Sequence, residues 1–130
     1  MKTILIISAL MIVGYFALAQ FKQTAKGVER LDAKNFELKS KEDGILLLDV
    51  RTPGEFHSGH IKGALNIDIN GPGFKEKIQE LDAGKTILVY CHSGARSAKA
   101  SKVMSENGFS TIFDLSGGII SWKSQKLPVE

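Results

Sequence analysis

"TILVYCHSGARSAKASKVM", residues Thr86 to Met104, changes its period halfway along. Thr86-Ile87-Leu88-Val89-Tyr90 is a continuous apolar run, the pattern of a strand covered on both faces rather than one at the rim of an open sheet. From Arg96 the spacing turns helical: Ala100, Val103, Met104 and Asn107 share one face, and Lys99, Lys102 and Glu106 share the other. Asn107-Gly108 reads as the cap that closes this helix. A buried strand running into a helix is half of a crossover between parallel strands. In such sheets ligands sit just beyond the carboxyl ends of the strands, where Cys91 stands here.

The same alternation extends in both directions. Asp32 is the expected N-cap of a short helix through Lys39, with Ala33, Phe36 and Leu38 facing inward and Lys39 to Asp43 following as a solvated loop. Ile45 to Val50 is a second continuous strand, closed by Pro53. Phe74, Ile78 and Leu81 mark the inner stripe of a helix whose Lys75, Glu76, Lys77 and Glu80 form an ordinary charged surface. Thr111 to Leu115 is a third clear strand, and Ile119 to Gln125 a last amphipathic turn or two. The pattern predicts an α/β fold: a mostly parallel central sheet with helices on both faces.

Composition and the N-terminus set the context. Lys2 precedes an almost unbroken apolar run, Ile4 to Ala17, and Ala17-Leu18-Ala19 offers the small residues of a signal-peptidase site. Residues 1–19 therefore read as a signal peptide cleaved between Ala19 and Gln20, since the run is shorter than the ~20 residues of a bilayer span. Residues 20–26 read as a flexible leader and 27–130 as one domain. Export is expected, to the periplasm if the cell has one, with no lasting membrane association. Losing Lys2 lowers the net charge from +3 to +2, too mild to suggest nucleic acid. A small domain without an apolar surface stripe is expected to be a monomer. Cys91 is the only cysteine, so no intramolecular disulfide is possible. It is buried filler, an intermolecular link or a reactive group.

The residues around it favour reactivity. Cys91-His92-Ser93-Gly94-Ala95-Arg96-Ser97 joins a strand end to a helix start, where backbone N–H groups lack helical partners and can cradle an anion. Ser93, Gly94 and Ala95 are small enough to let the backbone curl round a ligand. Arg96 brings a permanent charge with a planar fork of donors. Helix N-termini and cations favour thiolate over thiol, so Cys91 is expected to be a nucleophile near neutral pH. Attack on a phosphate ester or on the sulfane sulfur of a thiosulfonate are both open. Tyrosine-type phosphatases place five residues between Cys and Arg. Here only four intervene, a ring better sized for one sulfur on Cys91.

Three stretches together resemble the single-domain rhodanese family of thiosulfate sulfurtransferases. They are Asp49-Val50-Arg51 with Glu55-Phe56 and Gly59-His60-Ile61-Lys62-Gly63-Ala64-Leu65-Asn66, the Cys91 loop, and Leu115-Ser116-Gly117-Gly118 with Trp122. The resemblance covers nearly all of residues 27–130 and implies a rhodanese-like fold with a five-stranded sheet. It also implies a ping-pong sulfur transfer without metal or cofactor. Cys91 would take the outer sulfur of a small anionic donor such as thiosulfate, release sulfite, and pass the persulfide sulfur to a thiophilic acceptor such as cyanide or a thiol. His92, Ser93, Gly94, Ala95 and Ser97 would line the binding loop, and Arg96 would hold the departing sulfite. Arg51 and Glu55 read as an ion pair fixing the turn after the strand, His60 as a packing residue, and Asp49, with Arg51, as possible support for the loop. Gly117-Gly118 reads as a tight turn approaching the loop. A persulfide carrier serving a partner protein fits the same residues. A thiol-based phosphatase or an arsenate reductase fits less well, the latter lacking a resolving cysteine.

Overall fold

The computed structural model describes residues 25–130. The expected signal peptide and all but the end of the leader lie outside them. Five parallel strands form one sheet in the order β1-β5-β4-β2-β3: β1 Val28–Leu31, β2 Ile45–Asp49, β3 Leu65–Asn66, β4 Thr86–Tyr90 and β5 Ile112–Leu115. The helices are α1 Ala33–Ser40, α2 Pro53–His57, α3 Phe74–Gln79, α4 Ala95–Glu106 and α5 Gly118–Ser124.

Alternation along the central strands divides the core in two. Leu48 and Val50 of the β2 stretch, with Ile87, Val89 and Cys91 of the β4 stretch, face Phe74 and Ile78 of α3 and Ala100 and Met104 of α4. Leu47, Leu88 and Tyr90 face Ala33 and Phe36 of α1 and Ile119 and Trp122 of α5, where Phe36 and Trp122 meet edge to face at 6.3 Å. Connections that step toward β3 lie on the second face and those that step back toward β1 lie on the first, as a single crossover hand requires. Chain direction therefore diverges between neighbouring β2 and β4, which opens a crevice past their carboxyl ends.

Asp32 caps α1 as expected, its Oδ1 accepting from the Asn35 N–H at 2.9 Å. Leu38, expected to face inward, is instead 62% exposed. Two residues past buried Phe36 is about 200° of helical rotation, which turns Leu38 to water. Pro53 ends the β2 region and also starts α2, as the first helical residue behind a Thr52–Glu55 capping box. The sequence pattern gave no sign of that helix, nor of edge strand β1, whose Val-Glu-Arg-Leu carries too little apolar periodicity.

Candidate active site

Cys91 follows β4 directly and lies at the floor of the loop, 1% exposed, while His92, Ser93 and Ala95 form an exposed rim. The sulfur is not packed only among aliphatic groups. The Gly94 N–H donates to Sγ at 3.0 Å, and Ser97 Oγ stands 3.4 Å from Sγ. Gly94 makes this return possible by taking φ +115, a conformation that other residues avoid. It also occupies the N-cap of α4 without any side-chain capping bond, so the first-turn N–H groups of α4 remain open toward the loop. Ser97 is fully buried and donates to the Gly94 carbonyl at 3.2 Å, tying the loop to the helix it begins.

The Gly117-Gly118 turn does approach the loop, and closely. Ile119 N–H donates to the Cys91 carbonyl at 2.9 Å and Ile120 N–H to the His92 carbonyl at 3.2 Å. At Gly118 a Cβ would fall 2.3 Å from the His92 oxygen, and φ is +62. Only glycine fits. The closing signature thus holds two loop carbonyls in place from the opposite face of the sheet.

The two arginines pair otherwise than the sequence suggested. Arg51 was expected to bind Glu55. Instead it grips Asp49, with Nε 3.0 Å from Oδ1 and Nη2 2.7 Å from Oδ2, and Nη2 also donates to the Gly59 carbonyl at 2.7 Å. Asp49 and Arg51 are both buried, and the Arg51 guanidinium lies 5.6 Å from the Tyr90 ring centre. Asn66 donates to the carbonyls of Asp49 and Arg51, completing a frame at the end of β2. Their part in the site is to fix that strand end, since the Asp49 carboxylate is taken up by Arg51.

Glu55 reaches across to Arg96, Oε1 to Nη1 at 2.7 Å and Oε2 to Nη2 at 2.9 Å. Hydrogen bonding to Arg96 holds the Glu55 carboxyl down at about 2, and the same contact raises Arg96 above its ordinary value. Two of the five guanidinium N–H donors are thereby used, and three remain for a ligand. The partner choice follows from sheet order: β2 and β4 are neighbours, so α2 overhangs the start of α4. The signal for Glu55 was its place in the first signature; its partner was not legible there. His60 packs as expected, stacked on Phe56 at 3.8 Å with Nδ1 2.9 Å from the Phe56 carbonyl.

Beside the rim opens a cleft of about 520 Å³, bounded by Glu55 and Ser58 of the α2 turn, His92 of the loop and Lys123 of α5. Among the described residues no His, Cys, Asp and Glu side chains cluster as a metal site would require, and no helix is long and apolar enough to cross a membrane.

A family model for the rhodanese-like domain matches residues 32–125. A sulfurtransferase of Allochromatium vinosum is 33% identical over 104 residues, covering 78% of this chain and 94% of that protein. A tRNA uridine(34) hydroxylase of Cytophaga hutchinsonii is 39% identical over 104 residues, but this chain spans only 32% of its length. The crystal structure of a rhodanese-related protein from Thermoplasma volcanium superposes with a TM-score of 0.70 at 34% identity, covering 78% of this chain and 97% of that one. The parallel five-stranded sheet, the cysteine loop at its switch point and these likenesses agree: the chain belongs to the rhodanese-like domain family.

Proposed function

We propose that this protein is a sulfurtransferase that moves the sulfane sulfur of thiosulfate, or a similar small anionic donor, through a persulfide on Cys91. One observation carries the reading: the only cysteine lies at the floor of a four-residue loop with the Gly94 N–H aimed at its sulfur and the first turn of α4 left uncapped. The Cys91 thiolate attacks the outer sulfur; the new bond is Sγ–S, the bond broken is S–S, and sulfite leaves with the electron pair. The loop N–H groups stabilise the persulfide anion, and the free donors of Arg96 face the departing sulfonate. A thiophilic acceptor entering past His92 and Lys123 then removes the outer sulfur and restores the thiolate. Neither half-reaction uses a metal or a cofactor.

A persulfide carrier is the second reading, favoured by the similarity of this domain to a part of a much longer relative named as a hydroxylase. Steady-state transfer from thiosulfate to cyanide decides between them. Turnover that is lost in Cys91→Ser supports the enzyme; a persulfide that forms once and leaves only to a protein partner supports the carrier. We further propose that the mature chain is an exported, periplasmic monomer that does not bind nucleic acid. Its cell fraction and its sedimentation behaviour test this.

A further inference from the structure

The cleft beside the rim carries one charge that its own walls do not balance. Of the charged side chains bordering it, Arg51 is bound to Asp49 and Glu55 to Arg96, so each is cancelled where it stands. Gly54, Ser58 and Gly59 add no charge to that wall. Lys123 is left: it is exposed and belongs to no ion pair among the described residues. Its backbone is held against the loop. Ile120 N–H donates to the His92 carbonyl at 3.2 Å, and Lys123 stands one helical turn further on. Buried Trp122 beside it anchors that turn, its Nε1–H donating to the Pro128 carbonyl at 3.0 Å. At about 520 Å³ the cleft is far larger than cyanide needs and falls among sites that hold small organic molecules, about 300–1,000 Å³.

Sulfur leaves Cys91 by the attack of one anion on another. The acceptor thiolate attacks the outer sulfur of the Cys91 persulfide; a new S–S bond forms in the acceptor, the bond from Sγ to that sulfur breaks, and Cys91 departs as a thiolate with the electron pair. Two negative charges are present before and after, so no co-reactant is needed. Their repulsion is what an unbalanced cation at the mouth offsets. We propose that Lys123 is a specificity residue for this second half-reaction, and that the acceptor it selects is a small thiol bearing carboxylates. The carboxylate pairs with the Lys123 ammonium while the thiolate passes the His92 rim to reach the sulfur. The cysteine loop and Arg96 serve the donor and take no part in this contact. The proposal rests on the sulfur-transfer reading and names the class of its acceptor.

The test is the transfer step in isolation, in the full chain. Cys91 is loaded from thiosulfate, the excess donor is removed, and discharge of the persulfide by mercaptosuccinate, a thiol with two carboxylates, is compared with discharge by uncharged mercaptoethanol. In Lys123→Gln the ratio of the first rate to the second falls roughly threefold or more, the yield of one partly exposed ion pair. Lys123→Arg keeps the ratio, and added salt narrows the gap between wild type and Lys123→Gln. Comparing ratios between proteins cancels the difference in intrinsic reactivity of the two thiols. A ratio that stays in place in Lys123→Gln overturns the proposal, and so does a persulfide that neither thiol discharges. A loss confined to loading from thiosulfate would give Lys123 to the donor and overturns it as well. A wild type that never loads sulfur refutes the function, and the cleft is then judged by binding alone. Titrating Cys91→Ser with mercaptosuccinate should shift the amide signals of Gly54, Ser58 and Gly59 to saturation, more weakly once Lys123→Gln is added. Signals that do not move overturn the acceptor site.

Discussion

Glu55 and Arg96, 41 residues apart in sequence, meet as a two-pronged ion pair that fastens the α2 turn to the first turn of α4. The pair fixes one wall of the cysteine loop while leaving three guanidinium donors unspent. Glu55→Gln keeps the shape of the side chain and removes its charge. Sulfur loading of Cys91 should slow roughly tenfold, with a raised KM for the anionic donor as Arg96 loses its fixed orientation. An unchanged KM would show that Arg96 does not meet the donor.

The same pair predicts an acid-dependent term in stability. The Glu55 carboxyl sits at about 2 when folded, below its ordinary unfolded value of 4.5. A depressed acid contributes its stability above the unfolded value and loses it as pH falls through the folded one. The pair is partly exposed and so is screened to about 1 kcal/mol. Denaturant midpoints compared at about pH 5 and pH 3 should fall further in the wild type than in Glu55→Gln. Equal falls would assign the contact no energetic weight.

Gly118→Ala should abolish sulfur loading and destabilise the fold by about 2–4 kcal/mol, because the new Cβ meets the carbonyls of His92 and Cys91 at a left-handed φ. Gly54→Ala is the control. Nothing lies within 4 Å of its Cβ and it sits inside α2, so its urea midpoint should match the wild type or exceed it. A Gly118→Ala protein with normal activity would mean that the α5 turn does not hold the loop.

Arg51→Met leaves the Asp49 carboxylate buried without its partner and should cost about 3–5 kcal/mol. Adding Asp49→Asn to it should recover part of that loss, a coupling that a double-mutant cycle in urea would measure. Additive losses would mean that the two side chains act independently.

Sequence legibility followed the range over which each interaction acts. Thr86 to Tyr90 was readable as a buried strand because its own residues are apolar without a break, and Asp32 as a cap because its bond closes three residues on. Cys91 and Gly94 lie within one loop, so their approach could be read from spacing. The partners of Arg51 and Arg96 could not, because they depend on β2 lying beside β4. Asp114 of β5 gave no signal at all: an acid in a short strand reads as solvated, yet this one is 2% exposed. Leu38 erred the other way, apolar but turned to water, and Leu38→Ala should shift the urea midpoint far less than Phe36→Ala, which should cost about 3–5 kcal/mol.

The most direct test of the whole account is the intact mass of the full chain after exposure to thiosulfate. A gain of one sulfur atom, removed by reductant or cyanide and never seen in Cys91→Ser, is the predicted result. A mass that does not change, with the thiol still free, would contradict it.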